Sequence, residues 1–142
     1  MNGDPAARRL ALHGALLFLL GLATGFVAPV LANPRMGLSA HLEGVMNGMF
    51  LLALAGVWGH VRLAPPRSSA AFWLLLYGTY VNWASVLLGA ATGASRLMPI
   101  AGAGHRGPPW AEALVAFGLL SISLAMVAGV ALVLSGLLRR AD

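Results

Sequence analysis

The residues best suited to chemistry in this chain are few, and they sit in apolar surroundings. The segment Ser39-Ala40-His41-Leu42-Glu43-Gly44-Val45-Met46-Asn47-Gly48 carries an imidazole, a carboxylate and a carboxamide. Tyr77, Tyr80 and Asn82 lie in a second apolar stretch, and Glu112 opens a third just after His105 and Arg106. Polar groups inside hydrocarbon are expensive, so each is a functional hypothesis until a structural partner explains it. On a helix turning about 100° per residue, Gly44, Gly48 and Leu52 share a face with His41. Two glycines stacked beside a histidine leave a flat slot that suits a haem, with His41 as axial metal ligand and Gly44 and Gly48 beneath the ring. From spacing alone the stronger reading is that the same glycines form a helix-packing surface, with His41 as an interfacial or hydrogen-bonded polar residue.

The carboxylates have two readings. Glu43 follows Ser39, a residue type that caps helices, and an anion in a first helical turn is stabilised by the helix dipole. Glu112 repeats that arrangement. The alternative reading of Glu43 is catalytic. Asn47 lies one turn after Glu43 and can hydrogen-bond to it or aim its amide at a substrate. Asn82, near mid-depth, must find a partner in either case. His13, His60 and His105 lie near helix ends or in a loop, and His105 alone shares a side with His41, so it is the candidate to complete a bis-histidine haem. The methionines are expected in packing roles. No cysteine is present, which excludes disulfides and thiolate metal sites, and P-loop, GxGxxG, GxSxG and HExxH patterns are absent.

These residues are positioned by four apolar stretches, about Leu10 to Leu31, Leu38 to Val61, Ala70 to Gly93 and Trp110 to Leu138. Each reaches the roughly 20 residues that cross a bilayer. Proline-containing breaks separate them: Asn33-Pro34-Arg35, Pro65-Pro66-Arg67-Ser68, and Pro99 to Pro109. The expected fold is all-α, one integral membrane four-helix bundle over residues 1–142, likewise expected to oligomerise. Only 9% of residues are charged, against 59% hydrophobic, where a soluble domain carries about 25% charged residues. The net charge of +5 comes from dispersed arginines that mark loops, not from a basic stripe of the kind that binds nucleic acid.

Arg8-Arg9 followed by an apolar run imitates a signal peptide. The run of roughly 22 residues exceeds the usual 7–15 of such a segment, so it reads as an uncleaved first helix. Arg8, Arg9, Arg62, Arg67, Arg139 and Arg140 fall on one side, against Arg35, Arg96 and Arg106 on the other. The positive-inside rule then puts both termini in the cytoplasm, with the chain in a bacterial inner membrane. Gly21/Gly25, Gly44/Gly48 and Gly89/Gly93 are spaced for close helix approach. The Gly/Pro-rich loop from Ser95 to Pro109 has the composition of either a lid or a plain linker.

The run from Asn33 to Phe50 closely resembles the hydroxylaminobenzene mutases. So do Phe72-Trp-Leu, Tyr77-Gly-Thr-Tyr-Val-Asn-Trp83, Met98-Pro-Ile-Ala, Gly104-His105 through Glu112, and Ser121-Ile-Ser-Leu-Ala-Met126. More distantly the chain is similar to the styrene oxide isomerases, which share a histidine followed six residues later by Asn-Gly, matched here by His41 and Asn47-Gly48. In that family the histidine binds haem b at the interface of a trimer. The resemblance therefore implies His41 as haem ligand, Asn47 as a substrate contact and a homo-oligomer in the lipid bilayer. A tyrosine expected one turn after the third-helix asparagine is replaced by Val86, which favours the mutase over the epoxide isomerase.

The implied reaction converts an arylhydroxylamine, a small aromatic substrate, to an ortho-aminophenol, an isomerisation without net redox change. Haem iron is then expected to act as a Lewis acid on the hydroxylamine oxygen. Asn47 and Asn82 orient the polar end of the substrate, Glu43 moves a proton or stabilises charge, and Tyr80, Trp83 and Phe50 form an aromatic wall. A haem-free version makes protonated Glu43 the general acid. Outside enzymology, an embedded carboxylate in four helices also suits a small transporter, and a His41/His105 haem suits an electron carrier.

Overall fold

The computed structural model describes residues 4–139. Arg140, counted above with the cytoplasmic charges, lies outside that range, as do the two ends of the 1–142 domain. Four helices are long and apolar enough to span a membrane: α1 (Pro5–Val27), α2 (Pro34–Val57), α3 (Pro65–Thr92) and α5 (Pro109–Leu137). The one-turn helix α4 (Pro99–Gly102) lies in the loop before α5. Single 3₁₀ turns, Ala28–Val30 and Trp58–His60, finish the first two spans.

Every helix begins on a proline. Prolines that read as breaks in the sequence are thus first helical residues, where the missing N–H costs nothing and the fixed φ is already helical. For this reason α1 and α3 start at Pro5 and Pro65 rather than at residues 10 and 70, and α2 starts at Pro34 rather than 38. Asp4 caps α1 by accepting from the Ala6 N–H (2.8 Å), and Asn33 caps α2 by accepting from the Met36 N–H (3.1 Å).

With no hydrophobic force between helices in lipid, backbone proximity and van der Waals fit hold the bundle. α1 and α2 cross where Gly21 meets Gly44; a Cβ added at Gly21 would lie 2.6 Å from the Gly44 carbonyl carbon. Farther along the crossing, a Cβ at Gly14 would lie 2.9 Å from the Gly48 oxygen. The glycine spacing therefore serves packing within one chain. Gly93 has another role: with φ of +80° it ends α3, and its N–H returns to the Gly89 carbonyl (2.8 Å).

α3 is the central helix. It packs on α2, touches α1, and on its other flank carries α5. The buried stripe of α5 is built of small or slender residues, including Ala111, Gly118, Ala125 and Gly129. Gly118 lies against Ser85, Gly78 against Met126, and Gly129 against Leu75. At the opposite end from α4, the Arg62 N–H donates to the Gly136 carbonyl (3.1 Å), tying the α2–α3 turn to the end of α5. Arg9 stacks over Phe72 (4.7 Å) and Trp73 (5.4 Å) there, as a cation does in an aromatic belt.

Candidate functional site

Glu43 lies nine residues after Pro34, about 14 Å along the axis, because α2 starts at Asn33 and not at Ser39. The capping role expected for it therefore fails: it is an interior residue of a membrane helix. Its carboxylate turns to α3. Asn82 donates an amide hydrogen to Glu43 Oε2 at 2.5 Å, and Asn47 donates to the same oxygen at 3.5 Å and to the Thr79 carbonyl at 3.4 Å. Among the described residues Oε1 has no hydrogen-bond partner. Three of the candidates from two helices thus converge on one carboxylate, half-buried between α2 and α3.

His41 faces the other way, onto α1. Its Nδ1 lies 2.8 Å from the Gly21 carbonyl oxygen. A carbonyl only accepts, so Nδ1 carries a proton in this contact. Gly25 makes room for the ring, since a Cβ there would lie 2.8 Å from Nδ1. The slot expected over Gly44 and Gly48 is filled: Gly44 abuts Gly21 and the Trp83 indole, and Gly48 abuts Phe18. The physical reason is the helix crossing itself, which uses the glycines for backbone approach.

Tyr80 separates from Asn82. Two residues on a helix are about 200° apart, so Tyr80 points to α1. Its hydroxyl lies 3.2 Å from His13 Nδ1 and 3.3 Å from the His13 carbonyl oxygen. The expected aromatic wall of Tyr80, Trp83 and Phe50 borders the main core cluster, but its members serve different contacts. Trp83 Nε1 donates to Thr24 Oγ1 (3.1 Å), bridging α3 to α1 beside Gly44.

Glu112 is saturated by backbone. Oε1 accepts from the Ser95 and Gly107 N–H groups (both 3.1 Å) and Oε2 from the Arg96 N–H (3.0 Å). These bonds hold its carboxyl fast against the loop between α3 and α5. From the other side Asn33, fully buried, donates to the Gly102 carbonyl (3.0 Å) while its own N–H donates to Ala90 (2.9 Å). The loop read as lid or linker is a pinned cap. His105 belongs to it, with Nδ1 on the Gly102 carbonyl (2.9 Å). His105 contacts the cap and His41 contacts α1, so the two do not share a site.

Asn33 and the His13–Tyr80 contact escaped the sequence reading. Asn before Pro is a capping signal, and it identified Asn33 only as a break. Val86, where a tyrosine was expected for an epoxide isomerase, is buried with Met36, Ala40 and Ala90 in an aliphatic cluster.

Comparison with known proteins gives a consistent result. The sequence model of a family described as styrene oxide isomerase matches residues 6–138. Hydroxylaminobenzene mutase HabB of Ectopseudomonas oleovorans is 54% identical over 134 residues, 94% of this chain and 82% of its own length. Hydroxylaminobenzene mutase HabA of the same organism is 46% identical over 127 residues, 89% of this chain and 94% of its own length. No solved structure matches the chain.

Proposed function

The chain belongs to the styrene oxide isomerase family and is a membrane-helical isomerase; on that premise we propose that it rearranges hydroxylaminobenzene to 2-aminophenol. The mutase names of two relatives, at 54% and 46% identity, support the substrate class. The observation that carries the chemistry is the Glu43–Asn82 contact, a carboxyl group inside a membrane helix with one oxygen bonded and the other free.

In its protonated form Glu43 gives its proton to the hydroxylamine oxygen. The N–O bond then breaks, water leaves, and positive charge spreads over nitrogen and ring. Water adds at the ortho carbon and the ring loses its ortho hydrogen. Of the protons released, one returns to Glu43 and one goes to nitrogen, so the product is an isomer of the substrate. Asn82 and Asn47 hold the carboxyl group in place and offer an amide to the polar end of the substrate.

The donor chemistry of His41 fits a haem ligand, because the Gly21 carbonyl would hold the Nδ1–H tautomer and leave Nε2 to the iron. Gly44 and Gly48 do not fit beneath a macrocycle, since α1 covers them. Bound at His41, haem would supply a Lewis acid on the side of α2 that faces α1, whereas the Glu43 carboxyl faces α3. The reading includes a homo-oligomer, a trimer by family resemblance, in a bacterial inner membrane with both termini cytoplasmic. Exposed Leu22, Leu38 and Leu42 near His41 and the arginine asymmetry support those assignments.

The test is turnover of hydroxylaminobenzene by detergent-purified protein, with products separated by chromatography. Formation of 2-aminophenol is expected; 4-aminophenol alone, or no turnover, defeats the reading. An absorption spectrum of the same sample with and without His41→Ala tests the haem: a Soret band lost in the variant supports His41 as ligand, and a band retained removes it.

A further inference from the structure

We infer that Thr24 of α1, acting through Trp83, is a positioning residue for the Glu43–Asn82 pair, although it hydrogen-bonds to neither. The inference rests on the reaction proposed at Glu43. Thr24 is buried, and the indole that reaches it from α3 crosses α2 on the way.

The groups themselves fix the direction of each hydrogen bond here. An indole N–H can only donate, and Trp83 Nε1 donates to Thr24 Oγ1 (3.1 Å). The Thr24 hydroxyl gives its own proton to the Leu20 carbonyl (2.8 Å), one turn earlier on α1. Thr24 is thus satisfied within its own helix, and a valine would fill nearly the same space. What the hydroxyl adds is an acceptor at a fixed point, and among the described residues Trp83 is the side chain that uses it.

Gly44 lets the indole pass, since a Cβ there would lie 2.9 Å from Trp83 Cδ1. Gly44 follows Glu43 on α2, and Asn82 precedes Trp83 on α3. The two helices therefore meet in adjacent pairs, Asn82 on Glu43 (2.5 Å) and Trp83 on Gly44. Neighbouring side chains on a helix are about 100° apart, so anchoring the indole sets the direction in which Asn82 points. Among the described residues, side-chain hydrogen bonds join α1 to α3 at one other place, Tyr80 on His13. That tie lies on the flank of α3 turned away from Glu43. Trp83 on Thr24 is the tie at the level of the carboxyl, and it holds α3 at the roll angle that brings the Asn82 amide to Glu43 Oε2.

The experiment pairs a double-mutant cycle with NMR of the detergent-solubilised full chain, ¹⁵N-labelled at asparagine, the Asn82 side-chain amide being assigned by its loss in Asn82→Ala. Thr24→Val should lower kcat for 2-aminophenol formation about fivefold, the worth of one net hydrogen bond, and shift the Asn82 amide resonance. Thr24→Ser, which keeps the hydroxyl, should restore both. In an Asn82→Ala background Thr24→Val should cost nothing further, because the amide it positions is gone; a residue that serves only packing would lower activity in either background. An unmoved Asn82 resonance, a kcat equal to wild type, or losses that multiply in the cycle overturn the inference. Should Thr24→Val fail to fold, Trp83→Phe removes the same bond from the donor side and is read by the same outcomes. If hydroxylaminobenzene is not turned over but the Asn82 resonance moves in Thr24→Val and returns in Thr24→Ser, the reaction falls and the positioning stands. Turnover with the resonance unmoved has the opposite meaning.

Discussion

Two glutamates, Glu43 and Glu112, enter the same half of the bundle from α2 and α5, and their surroundings give them different work. Glu112 accepts three backbone N–H groups through both oxygens. It is fixed and spent on holding the cap. Glu43 accepts only two side-chain amides, both on Oε2. Backbone donors cannot be replaced by substrate without unravelling the loop, whereas a side-chain amide can swing and an open oxygen can take or give a proton. A membrane carboxylate is thus chemically available in proportion to the valences its fold leaves unfilled.

Glu43→Gln should break the comparison most severely. It keeps the shape and removes the transferable proton, so kcat for 2-aminophenol formation should fall about 10²–10⁴-fold, the usual weight of general acid–base catalysis. The melting temperature should stay near that of wild type. A variant with activity close to wild type would make Glu43 as structural as Glu112. Asn82→Ala should come next, lowering kcat roughly tenfold or more through loss of a charge-assisted bond worth about 1.5–3 kcal/mol. Steady-state kinetics beside a thermal melt separates that loss from misfolding.

Glu112→Gln should act on the cap and only mildly on turnover. Hydrogen exchange should quicken at the Ser95, Arg96 and Gly107 amides, with kcat reduced less than about tenfold, because both oxygens of this carboxyl are taken up by the cap. Asn47→Ala should have the smallest effect, about twofold on kcat/KM, since its bond to Glu43 is 3.5 Å long and weak. If Asn47 proves as costly as Asn82, the amide contacts the substrate directly, and the kinetics would then show it in KM.

The spans and their number were legible because length and apolarity suffice to define a membrane helix. Their starts were not, because hydropathy marks the apolar portion while Pro5, Pro34 and Pro65 carry each helix into polar sequence. That offset had consequences for chemistry. A helix starting at Leu10 leaves His13 in its first turn; starting at Pro5 puts it in the third, one turn past the Arg9 that stacks on Phe72 and Trp73. A helix starting near Leu38 makes Glu43 a first-turn anion; starting at Pro34 makes it an interior one. The demand that Asn82 find a partner was readable, and the partner was already a candidate on α2. What no spacing could reveal was whether Gly44 and Gly48 faced a cofactor or another helix, because both uses need the same absent side chain. Only the location of α1 decides between them.

The position of α3 has a mechanical consequence. It is a beam with Asn82 on one side, Tyr80 on nearly the opposite side, and α5 bearing on a third through Gly78, Ser85 and Leu75. A small roll of this beam about its long axis moves Asn82 and Tyr80 in opposite senses: as one leans into its contact, the other is drawn out of it. Bulk added to α5 at Gly118 or Gly129 therefore acts as torque, and reaches both His13 and Glu43 without touching either.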